Sequence, residues 1–353
     1  MSNPAIQTNL VASPNYGKES KWKKARRKIN SIIVGKIENT PLKFRWYRSY
    51  WHYKLSGSKP PADLAAIKQT HYLSEKPNYG AGIGHQLANW NAGLYFAGYF
   101  NLKFAHYPFS TQKWENFLGF GEGETLATEL EENSQYKIVK LPRFDSTNAE
   151  EIALVNNIVS SYKQKNILFY LESDQGYMRQ FDTYQILSRK FFKAAARKNE
   201  TTKFSKDSFN IAIHIRRRMK IETLPVWQER GLENTYFSNV LRQVLSLQKT
   251  GKKADIYLFS QGTEEEFPEF REFANMHYCM EMGPVESVLH MTEADLLISS
   301  KSSFSYKPAL MSKGIKICPA TFWHQYPNTP DFIQAGNDGN FDHQQLLNAG
   351  LNK

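Results

Sequence analysis

The chain has 353 residues, 41% of them hydrophobic and 14% aromatic, with a formal net charge of +11. This balance excludes a disordered or collagen-like chain and leaves room for two domains. No apolar run reaches the roughly 18 to 20 residues that a membrane-spanning helix needs, and MSNPAIQTNL lacks the apolar core of a signal peptide, so the cytoplasm is the expected compartment.

Charge is unevenly placed. Residues 1–75 carry 14 Lys and Arg against 4 Asp and Glu, whereas the remainder carries 31 against 30. After a polar, aperiodic start, KWKKARRKINSIIVGKI puts Trp22, Ala25, Ile29, Ile32 and Ile33 on one helical face, with six Lys and Arg between residues 21 and 28. FRWYRSYWHYK follows with interleaved aromatics. Residues 18–54 therefore admit two readings: an arm on an anionic membrane surface, at its inner face, or a solvated helix packed on the body. Nucleic acid is not an expected partner, because no recognition module follows.

GSKPP at 57–61 is a breaker cluster and the expected linker. The expected division is an arm over 1–60, an N-terminal α/β domain over 61–204 and a C-terminal nucleotide-binding α/β domain over 205–353. In the first domain, YGAGIGHQLANWNAGLYFAGYF reads as a glycine-rich turn entering a helix. LKFAHY (102–107) and NILFYLE (166–172) read as strands, MRQFDTYQILSRKFFKAAARK as a helix, and residues 121–135 as a surface loop.

From residue 209 the pattern is regular. FNIAIHI, ADIYLFS, HYCME, DLLIS and IKICPA read as strands. TYFSNVLRQVLSLQK, EEEFPEFREFA, PVESVLHMTEA and FSYKPALMSK read as the helices between them. Such alternation specifies a parallel sheet with crossover helices. Cys279 and Cys318 lack metal-type spacing and read as buried structural thiols, which suits a reducing compartment.

Ligands of a doubly wound sheet bind beyond the carboxyl ends of its strands, where three features fall. In IAIHIRRRMK, strand alternation puts His214 and Arg216 on one side and Arg217 on the other. Arginine's planar fork matches phosphate oxygens two at a time, although a solvated basic turn is the plain alternative. In SSKSSFSYKPA, a serine-rich turn opens a helix whose N–H groups and dipole favour an anion, and Ser302, Ser303 and Ser305 add hydroxyls. The plain alternative is an N-cap. In GAGIGHQ, glycines permit close backbone approach before a helix.

In this order, the three features resemble the fucosyltransferase superfamily that includes α-1,2-, α-1,6- and protein O-fucosyltransferases. GIGHQLANWNAGLYFA is similar to its Gly-x-Gly-Asn-Gln helix start, and IHIRRRM to its His-x-Arg-Arg-x-Asp motif. DQGYMRQFDTY resembles a Gly-Tyr-x-Gln-Ser segment, and ADLLISSKSSFSYKPALMSKG the late Asp…Ser-Phe-Ser motif. The resemblance implies a GT-B fold, two facing Rossmann-like domains, and inverting, metal-independent transfer of fucose from GDP-fucose to a glycan such as a surface polysaccharide, with no cofactor. It implies that Arg216 stabilises the departing diphosphate, with His214 and Arg217 beside it. Ser302, Ser303, Phe304 and Ser305 would hold phosphate, and Asp295 would recognise guanine. Gly82, Gly84, His85 and Gln86 would approach the sugar-phosphate. Glu172 and Asp174 are the candidate bases for the acceptor hydroxyl. The chain has His85 where the family has Asn, and Met219 where it has Asp. The rival readings are a transferase of another GDP-sugar and a non-catalytic glycan-binding or scaffold protein.

Overall fold

The computed structural model describes residues 40, 42–56, 63–172, 176–217 and 231–352. The basic segment at 21–33, the GSKPP linker, Asp174, Arg218 and Met219 lie outside the described residues.

The first half begins with two short helices, α1 (Leu42–Arg45) and α2 (Arg48–Leu55), then α3 (Leu64–Lys68). It continues through β1 (Tyr72–Glu75), α4 (Ile83–Tyr99), β2 (Lys103–His106), α5 (Gln112–Leu118), β3 (Thr125–Leu126) and α6 (Ala127–Glu132). The half closes with β4 (Lys137–Lys140), α7 (Ala149–Ser160), β5 (Ile167–Leu171) and α8 (Tyr184–Lys193). Its five strands are ordered β3-β2-β1-β5-β4, and every ladder is parallel. Asn101 and Asn166, both in the left-handed region at φ 57° and 61°, turn the chain into β2 and β5, a conformation Asn tolerates better than most residues.

The second half runs β6 (Ser208–His214), α9 (Asn234–Leu247), β7 (Lys253–Phe259), β8 (Met276–Tyr278), α10 (Pro284–Glu293), β9 (Leu296–Ile298), α11 (Ser303–Met311), β10 (Ile315–Pro319), β11 (Phe332–Ala335) and α12 (His343–Asn348). The six parallel strands are ordered β11-β10-β9-β6-β7-β8, the doubly wound order, in which the chain reverses direction of travel between β6 and β9. Ile211, Ile213, Leu296, Ile298 and Ile317 fill one face of this sheet and are inaccessible to solvent.

Several expectations are corrected. EEEFPEFREFA forms two 3-10 turns (Glu264–Glu266 and Pro268–Phe270), because Pro268 interrupts the helical ladder and the buried Phe267 and Phe270 pin it. The helix expected over MRQFDTYQILSRKFFKAAARK is divided into a 3-10 turn, α8 and a second 3-10 turn, with extended backbone at Ala194 separating the last two. The loop expected at 121–135 contains β3 and α6, whose buried Ala127 and Leu130 share a helical face among glutamates. Cys318 is buried as expected, but Cys279 is half-buried.

An apolar seam joins the halves. Leu87 and Trp90 of α4 and Leu187 and Phe191 of α8 share one core cluster with Leu289 of α10 and with Tyr306 and Leu310 of α11. A polar chain crosses the same seam: Asn91 on α4 donates to the Gln180 carbonyl at 3.5 Å, Lys307 on α11 donates to Gln180 Oε1, and Gln180 Nε2 lies 3.2 Å from His324 Nε2. All four residues are buried, and burial pushes the Lys307 pKa well below its ordinary value. The start of α4, which follows the carboxyl end of β1, touches the start of α11, which follows the carboxyl end of β9. The two Rossmann-like sheets thus present their carboxyl ends to each other, the GT-B arrangement.

Candidate active site between the two sheets

β6 delivers the first cluster. Its pairing with β7 continues past His214, since Ile215 N–H donates to the Phe259 carbonyl at 3.0 Å and Ser260 Oγ donates to the Ile215 carbonyl at 2.8 Å. The extended backbone carries Arg216 out on the His214 side. His214 Nδ1 lies 2.8 Å from Ser300 Oγ, and its ring packs 5.4 Å from that of Phe304. Burial first, and the Arg216 charge second, push the His214 pKa down to about 3, so the ring is neutral at pH 7. The imidazole is therefore a positioning group that ties the end of β6 to the serine turn.

That turn is highly ordered. Ser305 Oγ accepts from Ser300 N–H at 3.2 Å and is inaccessible to solvent, whereas Ser302 Oγ caps α11 by accepting from Phe304 N–H at 3.2 Å. Both hydroxyls shape the turn, as the N-cap reading anticipates, and Ser303 is the serine that reaches the other domain. A Cβ on Gly84 would lie 2.8 Å from the carbonyl carbon, carbonyl oxygen and Oγ of Ser303. Only a glycine fits this approach. Gly84→Ala is therefore expected to force the helix starts apart and destabilise the chain by about 1–3 kcal/mol. A Cβ on Gly82 meets nothing within 4 Å, so Gly82→Ala is expected to leave the thermal midpoint unchanged. Equal midpoints for the two variants would contradict the contact.

Lys301 was not singled out in the sequence. It follows the carboxyl end of β9 within the serine turn, is 6% exposed, and makes no hydrogen bond or ion pair among the described residues. Burial alone lowers its pKa. A lysine in a serine-rich run reads as solvated, and only the fold shows its stem largely covered at the switch point, with its ammonium making no contact to a protein anion among the described residues.

Other residues lie elsewhere or are already occupied. Asp295 precedes β9 at the amino end of the sheet, accepting from Asn210 N–H at 2.8 Å, so it cannot meet a nucleotide at the carboxyl ends. Arg217 turns away as alternation predicts: its guanidinium lies 4.3 Å over Phe267, donates to the Glu266 carbonyl at 3.2 Å, and is 3.6 Å from the Glu266 carboxylate. Gln86 is buried and spent on structure, donating to the Ala81 carbonyl and Ser110 Oγ and accepting from Ser110 N–H, each at 2.9 Å. His85 is half-buried at the start of α4. Glu172 follows β5 but is held by Lys140 at 2.6 Å and Arg143 at 3.8 Å beside edge strand β4, which does not suit a base for an acceptor in the cleft. The Gly-Tyr segment is also structural: Tyr177 is buried against Tyr95, with ring centroids 5.0 Å apart, and its hydroxyl donates to Asp182 at 3.3 Å. Among the described residues, no three His, Cys, Asp or Glu side chains cluster as metal ligands.

No family model matches the chain, and no curated protein matches it. Solved structures do. POFUT1 in complex with GDP is similar over 70% of this chain and 98% of that one, with 12% identity and a TM-score of 0.40. A mutant of Arabidopsis thaliana FUT1 in complex with GDP is similar over 90% and 82%, with 9% identity and a TM-score of 0.44. The fucosyltransferase NodZ from Bradyrhizobium is similar over 69% and 93%, with 12% identity and a TM-score of 0.36. At these identities and scores, the likeness extends to the general α/β course of the chain and assigns no residue a role.

Proposed function

We propose that the protein is an inverting glycosyltransferase that transfers fucose from GDP-fucose to a glycan acceptor. The observation that carries this reading is the convergence, at the switch point of the second sheet, of Arg216, the His214–Ser300 tie, Lys301 and the start of α11, with Gly84 of the first domain closing on Ser303. Such a place suits a diphosphate. As the acceptor oxygen bonds to the anomeric carbon and its hydroxyl proton passes to solvent water, the bond from that carbon to GDP breaks and the electron pair stays on the β-phosphate. Fixed guanidinium, ammonium and helix-dipole donors stabilise that developing charge. The neutral His214 keeps the strand end in register with the turn.

Calorimetric titration of the full chain with GDP, GDP-fucose and UDP tests the donor. GDP and GDP-fucose are expected to bind at least tenfold more tightly than UDP. A preference for UDP, or no heat with any of the three, would refute the reading.

A further inference from the structure

We propose that the outward face of α1 and α2 is a docking surface for an anionic lipid bilayer. Four of the eight large hydrophobic side chains exposed among the described residues fall within this 14-residue stretch: Leu42 at 50%, Trp46 at 48%, Trp51 at 47% and Leu55 at 82%. Trp51 and Leu55 are four residues apart on one side of α2, Leu42 opens α1, and Trp46 sits in the turn between the two helices. The Trp51 indole N–H donates to the Arg45 carbonyl at 2.8 Å, which sets Trp51 against the end of α1 and makes one patch of the two helices. Arg45, Arg48 and Lys54 are exposed between the apolar residues, and no Asp or Glu occurs from residue 39 to residue 62.

The inward face is already committed. Phe44 packs in the core of the first domain, Lys43 pairs with Glu151 at 2.7 Å, Ser49 Oγ donates to the Lys140 carbonyl at 2.8 Å, and His52 stacks on Tyr162 at 4.0 Å. What faces out is thus a platform of indoles and leucines with cations beside them. Indoles favour the boundary between water and hydrocarbon, and basic side chains beside them favour anionic headgroups. The complementary partner is therefore a negatively charged bilayer.

Sedimentation of the full chain with phosphatidylcholine vesicles, with and without phosphatidylglycerol, tests this, with duplex DNA as a parallel probe. The anionic vesicles are expected to bind the chain, with a blue shift of tryptophan emission and weakening by salt, and neutral vesicles are not. Trp46→Ala with Trp51→Ala is expected to weaken vesicle binding at least tenfold, and Arg45→Ser, Arg48→Ser and Lys54→Ser together roughly 100-fold. An unchanged thermal midpoint would show that each variant is folded. The proposal is overturned if neither kind of vesicle binds, if neutral vesicles bind equally, if folded variants bind as the parent does, or if duplex DNA binds more tightly than anionic vesicles.

Discussion

Replacing Arg216 by alanine is expected to lower transfer from the donor by about 10²- to 10³-fold, the usual loss when one fixed donor to a developing negative charge is removed. The effect should fall on kcat more than on KM, because the charge on the leaving diphosphate is largest in the transition state. Arg216 is placed by backbone, not by chance of rotamer: the β6 ladder extends through Ile215, and His214 is anchored to Ser300 two residues before it. Arg216→Lys should recover only part of the loss, since an ammonium cannot form the planar fork. Lys301→Met, which keeps the largely covered stem and removes the charge, should weaken GDP binding with little change in the thermal midpoint of the ligand-free protein. Full turnover in Arg216→Ala would leave the diphosphate assignment without its main residue.

Stability should fall steeply as pH drops from about 6.5 toward 3. Burial holds the His214 and His324 pKa values down at about 3, with the Arg216 charge adding to the first and the Lys307 charge to the second. In the unfolded chain both return to about 6.5. Between these limits the unfolded state binds more protons, so folding weakens as pH falls and recovers above the unfolded value. At pH 5 each histidine costs about 2 kcal/mol relative to neutral pH, and two such terms approach the total stability of a modest domain. Urea midpoints at pH 7.5, 6 and 5 report this directly. Burial also holds His71 down at about 4 and lowers His290, so His324→Gln, which removes one titrating group beside Gln180, should flatten the slope by about a third or less; a midpoint independent of pH over this range would contradict the neutral assignment of these rings.

Much of the second sheet was readable in advance because buried parallel strands are continuous apolar runs, and IAIHI, ADIYLF and IKIC are unmistakable in that sense. The first sheet was harder. β1 (YLSE) and β4 (KIVK) are four residues long and carry polar side chains, and β3 has two residues, so neither periodicity nor composition marks them. For the site, alternation turned Arg217 away from the His214 side, as expected, whereas the glycines before α4 were read as approaching a sugar-phosphate and Gly84 instead closes on Ser303 of the other half. Asp295 was assigned to guanine by the resemblance alone, although as the first residue of DLLIS it stands at the amino end of that strand. Register with Asn210 settles which end it occupies. Lys301 and the Lys307–Gln180–His324 chain were hidden for a different reason: a lysine or a glutamine gives no local sign that another domain will cover it.

The seam made by α4, α8, α10 and α11 bears on how such proteins could be recombined. α8 belongs by chain order to the first half, yet Leu187 and Phe191 lie in the same cluster as Tyr306 and Leu310. A chimera spliced between β5 and β6 would inherit one half of this joint from each parent. C-terminal halves should therefore be exchangeable only among chains whose α8 and α11 surfaces have diverged together, so that the two halves are inherited as a mechanically matched pair.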